Sequence, residues 1–188
     1  LFNRPKVAFD PKLLRRWHLY KMCTNGLSGL WMSHYSDSVH LVTGATYPAS
    51  AAALGGTYAW HDGREHDDTF HAVIEYPGFL MDWGMGLGNS ADVYFVIRGI
   101  NGSMDLETWT ISGSGAADPK KLETRKIKPE ANESHMGNWL ECLRTRKRPN
   151  ADIQYGHQHS VATIMAAAAR ETGRRHVYDP EKRIMKPV

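Results

Sequence analysis

Apolar residues first recur at the helical interval. Leu13, Leu14, Trp17 and Tyr20 follow Asp10-Pro11, an acidic cap with proline in the first turn, so a short helix is expected there. The glycine-punctuated turn Asn25-Gly26-Leu27-Ser28-Gly29 comes next, and residues 30–42 read as a second helix stopped by Gly44. From about residue 52 to 110 the interval shortens to two. Strands are expected at 53–60, 69–76, 79–85, 92–98 and 103–109. The tight turns Tyr76-Pro77-Gly78-Phe79 and Gly99-Ile100-Asn101-Gly102 force neighbouring strands antiparallel, which predicts a meander of about five strands. A loop at 112–119 and a charged, exposed stretch at 120–132 precede the next helix, at 135–146. That helix is amphipathic, with Met136, Trp139, Leu140 and Leu143 on one face. The last helix, 154–172, carries the run Ala166 to Ala169, small enough for close packing, and ends at Gly173; a basic, proline-ended tail follows. Helices, then strands, then helices predict an α+β fold: one domain over residues 1–188, an open, mostly antiparallel β-sheet with helices on one face.

Composition narrows the class. With 41% hydrophobic and 23% charged residues, the 188-residue chain has an ordinary globular balance and enough length for a sizeable core, which excludes wholesale disorder. There is no long uninterrupted apolar run to cross a membrane, and the N-terminus is too charged for a signal peptide. Lys and Arg exceed Asp and Glu by 23 to 20, a +3 excess spread along the chain, which argues against a nucleic-acid partner. Cys23 and Cys142 allow at most one bridge, which suits a reducing cytoplasm while leaving export of the parent protein open. The chain starts at Leu1 rather than Met, as expected for a piece of a longer protein.

The most informative segment chemically runs from Leu30 to His40. On a helix His34 and Asp37 share a face, and a carboxylate beside an imidazole fixes its tautomer, an arrangement used in general acid–base chemistry and equally found as a polar contact beneath a sheet. Lys21 and His18, just upstream, are candidates for substrate contact, with a solvated side chain as the plain alternative for Lys21. Ten histidines, including His61, His66, His71, His157 and His159, raise the question of a metal, but none falls at a strong ligand spacing. His157 and His159, two apart on a helix, point in different directions and chelate poorly. The glycines at 26, 29, 86 and 88 lie outside any strand–turn–helix unit, so the chain is expected to bind neither a dinucleotide nor a metal itself. Arg144 to Arg148 reads as a solvated helix end, and the six tryptophans as filling core or interface.

The order of these features resembles the C-terminal domain of the Gfo/Idh/MocA oxidoreductases, the glucose–fructose oxidoreductase and inositol dehydrogenase family. The resemblance lies in the glycine turn before Leu30-Trp31-Met32-Ser33-His34-Tyr35-Ser36-Asp37, in Gly99-Ile100-Asn101-Gly102-Ser103-Met104, and in the run from Asn138 to Asp152 with its Arg146-Lys147-Arg148-Pro149-Asn150-Ala151-Asp152. It closes on Tyr155-Gly156-His157, Gly173-Arg174-Arg175 and Tyr178-Asp179-Pro180-Glu181. It implies hydride transfer between NAD or NADP and a sugar or cyclitol hydroxyl, with the nucleotide held by an N-terminal Rossmann domain missing from this chain. It also implies homo-oligomers formed through the open sheet. His34 matches the histidine of the family's Asp-x-x-x-His motif, and Asp37 a carboxylate often found three residues later. The motif's aspartate is replaced by Leu30, and no Glu-Lys-Pro is present. Two rival readings remain: a non-catalytic carbohydrate-binding or assembly module pairing through its sheet, and a metal-dependent enzyme using the histidines.

Overall fold

The computed structural model describes residues 6–89, 94–128 and 134–188. The chain forms two compact units, Leu1–Asn89 with Ala151–Val188, and Ser90–Asn150. The first unit begins with helix α1 (Pro11–Arg15), a 3-10 turn (Trp17–Leu19) and a π-helical turn (Ser28–Met32) that runs straight into α2 (Ser33–Thr43). Strands β1 (Ser50–Gly56), β2 (Thr69–Tyr76) and β3 (Phe79–Gly86) follow. The second unit holds β4 (Val96–Gly99), β5 (Gly102–Asp105), β6 (Thr110–Ser112), β7 (Arg125–Lys126) and α3 (His135–Thr145). The chain then returns to the first unit with α4 (Ile153–Thr172), β8 (His176–Asp179) and β9 (Ile184–Pro187).

Local chemistry explains the boundaries. The Asp10 carboxylate accepts from the Lys12 amide at 2.8 Å and starts α1. Gly44, at φ 72°, and Gly173, at φ 65°, close α2 and α4 in the left-handed conformation that glycine adopts without penalty. In the first unit the sheet order is β3-β2-β1-β8-β9, with every neighbouring pair antiparallel. Alternation along β2 buries Phe70, Ala72, Ile74 and Tyr76 and leaves His71 and Val73 exposed. Met81 and Trp83 of β3 complete that buried face. It is covered by α4, whose Ala162 and Ala166 are wholly inaccessible and permit close approach, and which packs in turn against α2. Helices α2 and α4 thus lie over one face of this sheet, and the opposite face carries the exposed Leu54, Leu80 and Ile184.

Several expectations need correcting. The five consecutive strands do not form one meander: β1 to β3 belong to the first sheet, while β4-β5-β6-β7 make a second antiparallel sheet. The free edge of β1 is taken by β8 through Ser50↔Val177 and Ala51↔His176, so the basic tail is a hairpin. Its turn is built by the Asp179 carboxylate, which accepts from the amides of Glu181 (3.1 Å) and Lys182 (3.0 Å). The strand expected at 53–60 ends at Gly56, because the amides of Tyr58, Ala59 and Trp60 turn inward to Asp68. The one expected at 103–109 ends at Asp105, whose carboxylate captures the amides of Glu107 and Thr108. Of the expected strand 92–98, residues 92–93 lie outside the described residues, as do 129–132 of the charged stretch. Only Trp83 of the six tryptophans is buried; the others are 45–49% exposed, and the apolar face of α3 is exposed as well.

Candidate functional site

Two neighbourhoods of the first unit gather chemistry. One is the outward side of α2. Gly26 turns the chain at φ 67°, its amide bonding Thr24 Oγ1 at 3.2 Å, and the Ser28 hydroxyl donates to the Asn25 carbonyl at 3.1 Å. The π-helical turn then widens the first coil, with Ser28, Met32, Ser36, Val39 and His40 inward and Trp31, His34, Asp37 and Leu41 outward. Among the described residues the His34 imidazole makes no hydrogen bond. The Asp37 carboxylate reaches across to α4, 3.4 Å from His159 Nδ1, rather than back to His34. His157, two residues earlier, goes elsewhere, its Nδ1 lying 3.0 Å from the Tyr47 hydroxyl.

Beneath that surface His40 is buried, with Nε2 2.8 Å from the Tyr76 hydroxyl and Nδ1 without a partner among the described residues. Burial lowers the His40 pKa below its ordinary value; Asp37 works against that shift and His159 adds to it. Burial likewise pushes the Tyr76 phenol up.

The second neighbourhood is a cavity of about 390 Å³ between residues 21–27, the start of β2 and the last turns of α4. Two ion pairs stand in its wall. Lys21 Nζ lies 2.6 Å from Glu171 Oε2, and Arg170 grips Asp67 in a two-pronged bond, Nε at 2.6 Å and Nη2 at 3.0 Å. Glu65 accepts from the Lys21 amide at 2.7 Å. His66 Nε2 donates to the Thr24 carbonyl at 3.0 Å, which aims Nδ1 at Gly26. A Cβ on Gly26 would come 2.7 Å from that nitrogen, so the wall requires glycine here for close approach as well as for its φ. Leu27, Phe70 and Ile164 supply apolar lining. The Lys21 ammonium, through its hydrogen bond and its charge, holds the Glu171 carboxyl below its usual range.

Beside this cavity Asp68 is fully buried, accepting from the amides of Tyr58 (3.0 Å), Ala59 (2.8 Å) and Trp60 (2.8 Å) and from the Thr69 hydroxyl (3.1 Å). Burial alone would raise its pKa, but those donors outweigh burial and hold it at about 2.

Of the residues singled out in the sequence, Lys21 lines the cavity, while His34 and Asp37 are exposed on α2. His18 is exposed and packs against the edge of Trp17, outside the cavity wall. Of the remaining wall residues, Glu65 and His66 fall beside the histidines that raise the question of a metal, while Asp67, Arg170 and Glu171 carry no signal in the sequence. Among the described residues no three His, Cys, Asp or Glu side chains come together as a metal-ligand set. Neither glycine run fits a dinucleotide: residues 25–29 lead from a turn rather than a parallel strand, and Gly86 ends a strand antiparallel to β2.

No protein-family model matches the chain, and no curated protein matches it in sequence. Solved structures do match in fold. An NAD-binding protein from Listeria innocua superposes with a TM-score of 0.66 at 19% identity, over 85% of this chain and 50% of that one. The WlbA dehydrogenase from Bordetella pertussis, solved with NADH and UDP-GlcNAcA, gives 0.62 at 20% identity, covering 87% and 48%. The aldose-aldose oxidoreductase from Caulobacter crescentus, solved with glycerol, gives 0.61 at 18% identity, covering 90% and 52%. The chain spans about half the length of the structures it matches. Among the described residues no helix is long and apolar enough to cross a membrane.

Proposed function

Since the chain has the fold of the C-terminal half of Gfo/Idh/MocA-type oxidoreductases, we propose that it is the substrate-binding and oligomerisation half of an NAD(P)-dependent enzyme acting on a sugar, cyclitol or related hydroxyl compound. The nicotinamide is supplied by a Rossmann domain outside this chain, and the chain alone does not turn over, because hydride transfer needs cofactor and substrate held together. The observation that carries the reading is the exposed imidazole of His34, on α2 just past a π-helical turn, in a fold shared with proteins whose structures hold NADH with a sugar nucleotide, or glycerol. In this reading His34 is the acid or base at the substrate hydroxyl. Asp37 is its neighbour on the same side of α2, held across to α4 by His159. Lys21 is the substrate contact that the cavity supports, whereas His18 lies outside the cavity wall. The two free thiols suit a reducing cytoplasm.

Oligomerisation is assigned to the open face of the first sheet. Register places Leu54, Val73, Leu80 and Ile184 on that face, 45–79% exposed, where a second copy would cover them. The test of the catalytic assignment is His34→Ala in the complete protein. Loss of a general acid–base lowers turnover by about 10²–10⁴-fold, and the exposed position leaves folding intact. Unchanged turnover in a folded variant removes His34 from the chemistry. Leu30, standing where the motif has aspartate, favours a second reading in which the sugar is bound but not oxidised. Ligand binding by the complete protein with no change in nicotinamide absorbance would select it.

A further inference from the structure

The cavity beside residues 21–27 carries a specificity of its own. Besides His66, its ionisable wall consists of two basic side chains, Lys21 and Arg170, and three acidic ones, Glu65, Asp67 and Glu171. Each cation is already matched by a carboxylate at 2.6 Å, and Glu65 is left over, so these five groups sum to −1. An anion entering this space meets no uncompensated positive charge, and the leftover Glu65 carboxylate repels it.

Hydrogen-bonding capacity remains. Lys21 Nζ has used one of its three N–H groups, Arg170 has committed Nε and Nη2 and keeps Nη1, and Glu65 has used one carboxylate oxygen. Unused donors and acceptors are therefore both present in the wall, which suits hydroxyl groups because each donates and accepts at once. Leu27, Phe70 and Ile164 offer an apolar surface for the C–H face of a ring. At about 390 Å³ the space falls within the size of small-molecule pockets.

We propose that this cavity binds a neutral, polyhydroxylated ring and discriminates against the carboxylated or phosphorylated forms of the same ring. The proposal rests on the reading of the chain as a substrate-binding half and narrows its substrate class. The test is titration of the isotope-labelled 188-residue chain at low ionic strength with myo-inositol and glucose on one side, glucuronate and glucose 6-phosphate on the other. The backbone amide signals of Lys21, Gly26, Asp67 and Arg170 report the cavity. At least one neutral compound shifts these amides saturably, and the anions need roughly tenfold higher concentration, the size expected for one like charge a few ångströms away in a partly solvated site. Glu65→Gln, which keeps an acceptor for the Lys21 amide, narrows that preference several-fold. Anions binding as tightly as neutral rings overturn the proposal, and so do neutral rings that leave the four amides unmoved. Nicotinamide reduction by the complete protein is a separate readout. Ring binding without reduction retires the oxidoreductase reading and keeps the cavity assignment; reduction without perturbation of the cavity does the reverse.

Discussion

Asp68→Asn tests the local physics most directly. The carboxylate is wholly inaccessible and holds four donors, Oδ1 serving the Tyr58 amide and the Thr69 hydroxyl, Oδ2 the amides of Ala59 and Trp60. Asparagine preserves the shape but offers one acceptor oxygen, so at least one amide faces an NH₂ group, and the remaining bonds lose their charge assistance. A hydrogen bond to a charged group contributes about 1.5–3 kcal/mol. Because residues 58–60 are exposed and their amides can turn to water, the net cost is set near the lower end, about 2–3 kcal/mol in total. For a chain of this length that lowers the melting temperature by roughly 5–10 °C. The measurement is thermal unfolding by circular dichroism at pH 7, with hydrogen exchange of the three loop amides alongside. The sign of the pH dependence follows from the depressed pKa. With a folded value of about 2 against an ordinary 3.8, the stabilisation is fully present above about pH 4 and disappears as the pH falls to about 2. The gap between parent and variant should therefore close over that interval. A drop of under about 2 °C at pH 7, or unchanged protection of the Tyr58, Ala59 and Trp60 amides, refutes the reasoning.

Three further predictions concern buried or crowded groups. Gly26→Ala places a methyl 2.7 Å from His66 Nδ1 at a φ of 67°, so it should cost about 2–4 kcal/mol through strain and the displaced His66–Thr24 bond, read as a lowered denaturant midpoint; an unshifted midpoint contradicts the described cavity wall. His40 has a depressed pKa, so its stabilising contribution is complete above about pH 6.5 and fades as the pH falls through the lower folded value. Tyr76→Phe removes the only hydrogen bond of that ring among the described residues, at about 1 kcal/mol. Melting curves at pH 7 and pH 5 check both, and a melting temperature insensitive to acid would count against a buried neutral imidazole.

How much could be read from the sequence depended on the range of the interaction. The alternation in Thr69-Phe70-His71-Ala72-Val73-Ile74-Glu75-Tyr76 matched β2 residue for residue because one face is buried along its whole length. Helix ends at Gly44 and Gly173 were equally plain, since a left-handed cap is a local need. The β8–β9 hairpin was missed because its strands are four residues long and its place in the sheet is set by β1, more than a hundred residues earlier. The end of β1 at Gly56 depended on Asp68, a buried carboxylate twelve residues further on whose role as acceptor for the 58–60 amides no local pattern marks. At the candidate site His34 and Lys21 were legible as residue types. The pairing of Asp37 with His159 and of Asp67 with Arg170 was not, because it depends on how α4 lies against α2 and against the start of β2.

The first unit is discontinuous: its sheet and helical cover draw on both ends of the chain, with Ser90–Asn150 made in between. During synthesis β1 to β3 must therefore emerge with their apolar face bare and wait for about sixty more residues before α4 can seal it. Closure of that core waits until α4 has been made, and in the interval the bare apolar face is open to misassociation.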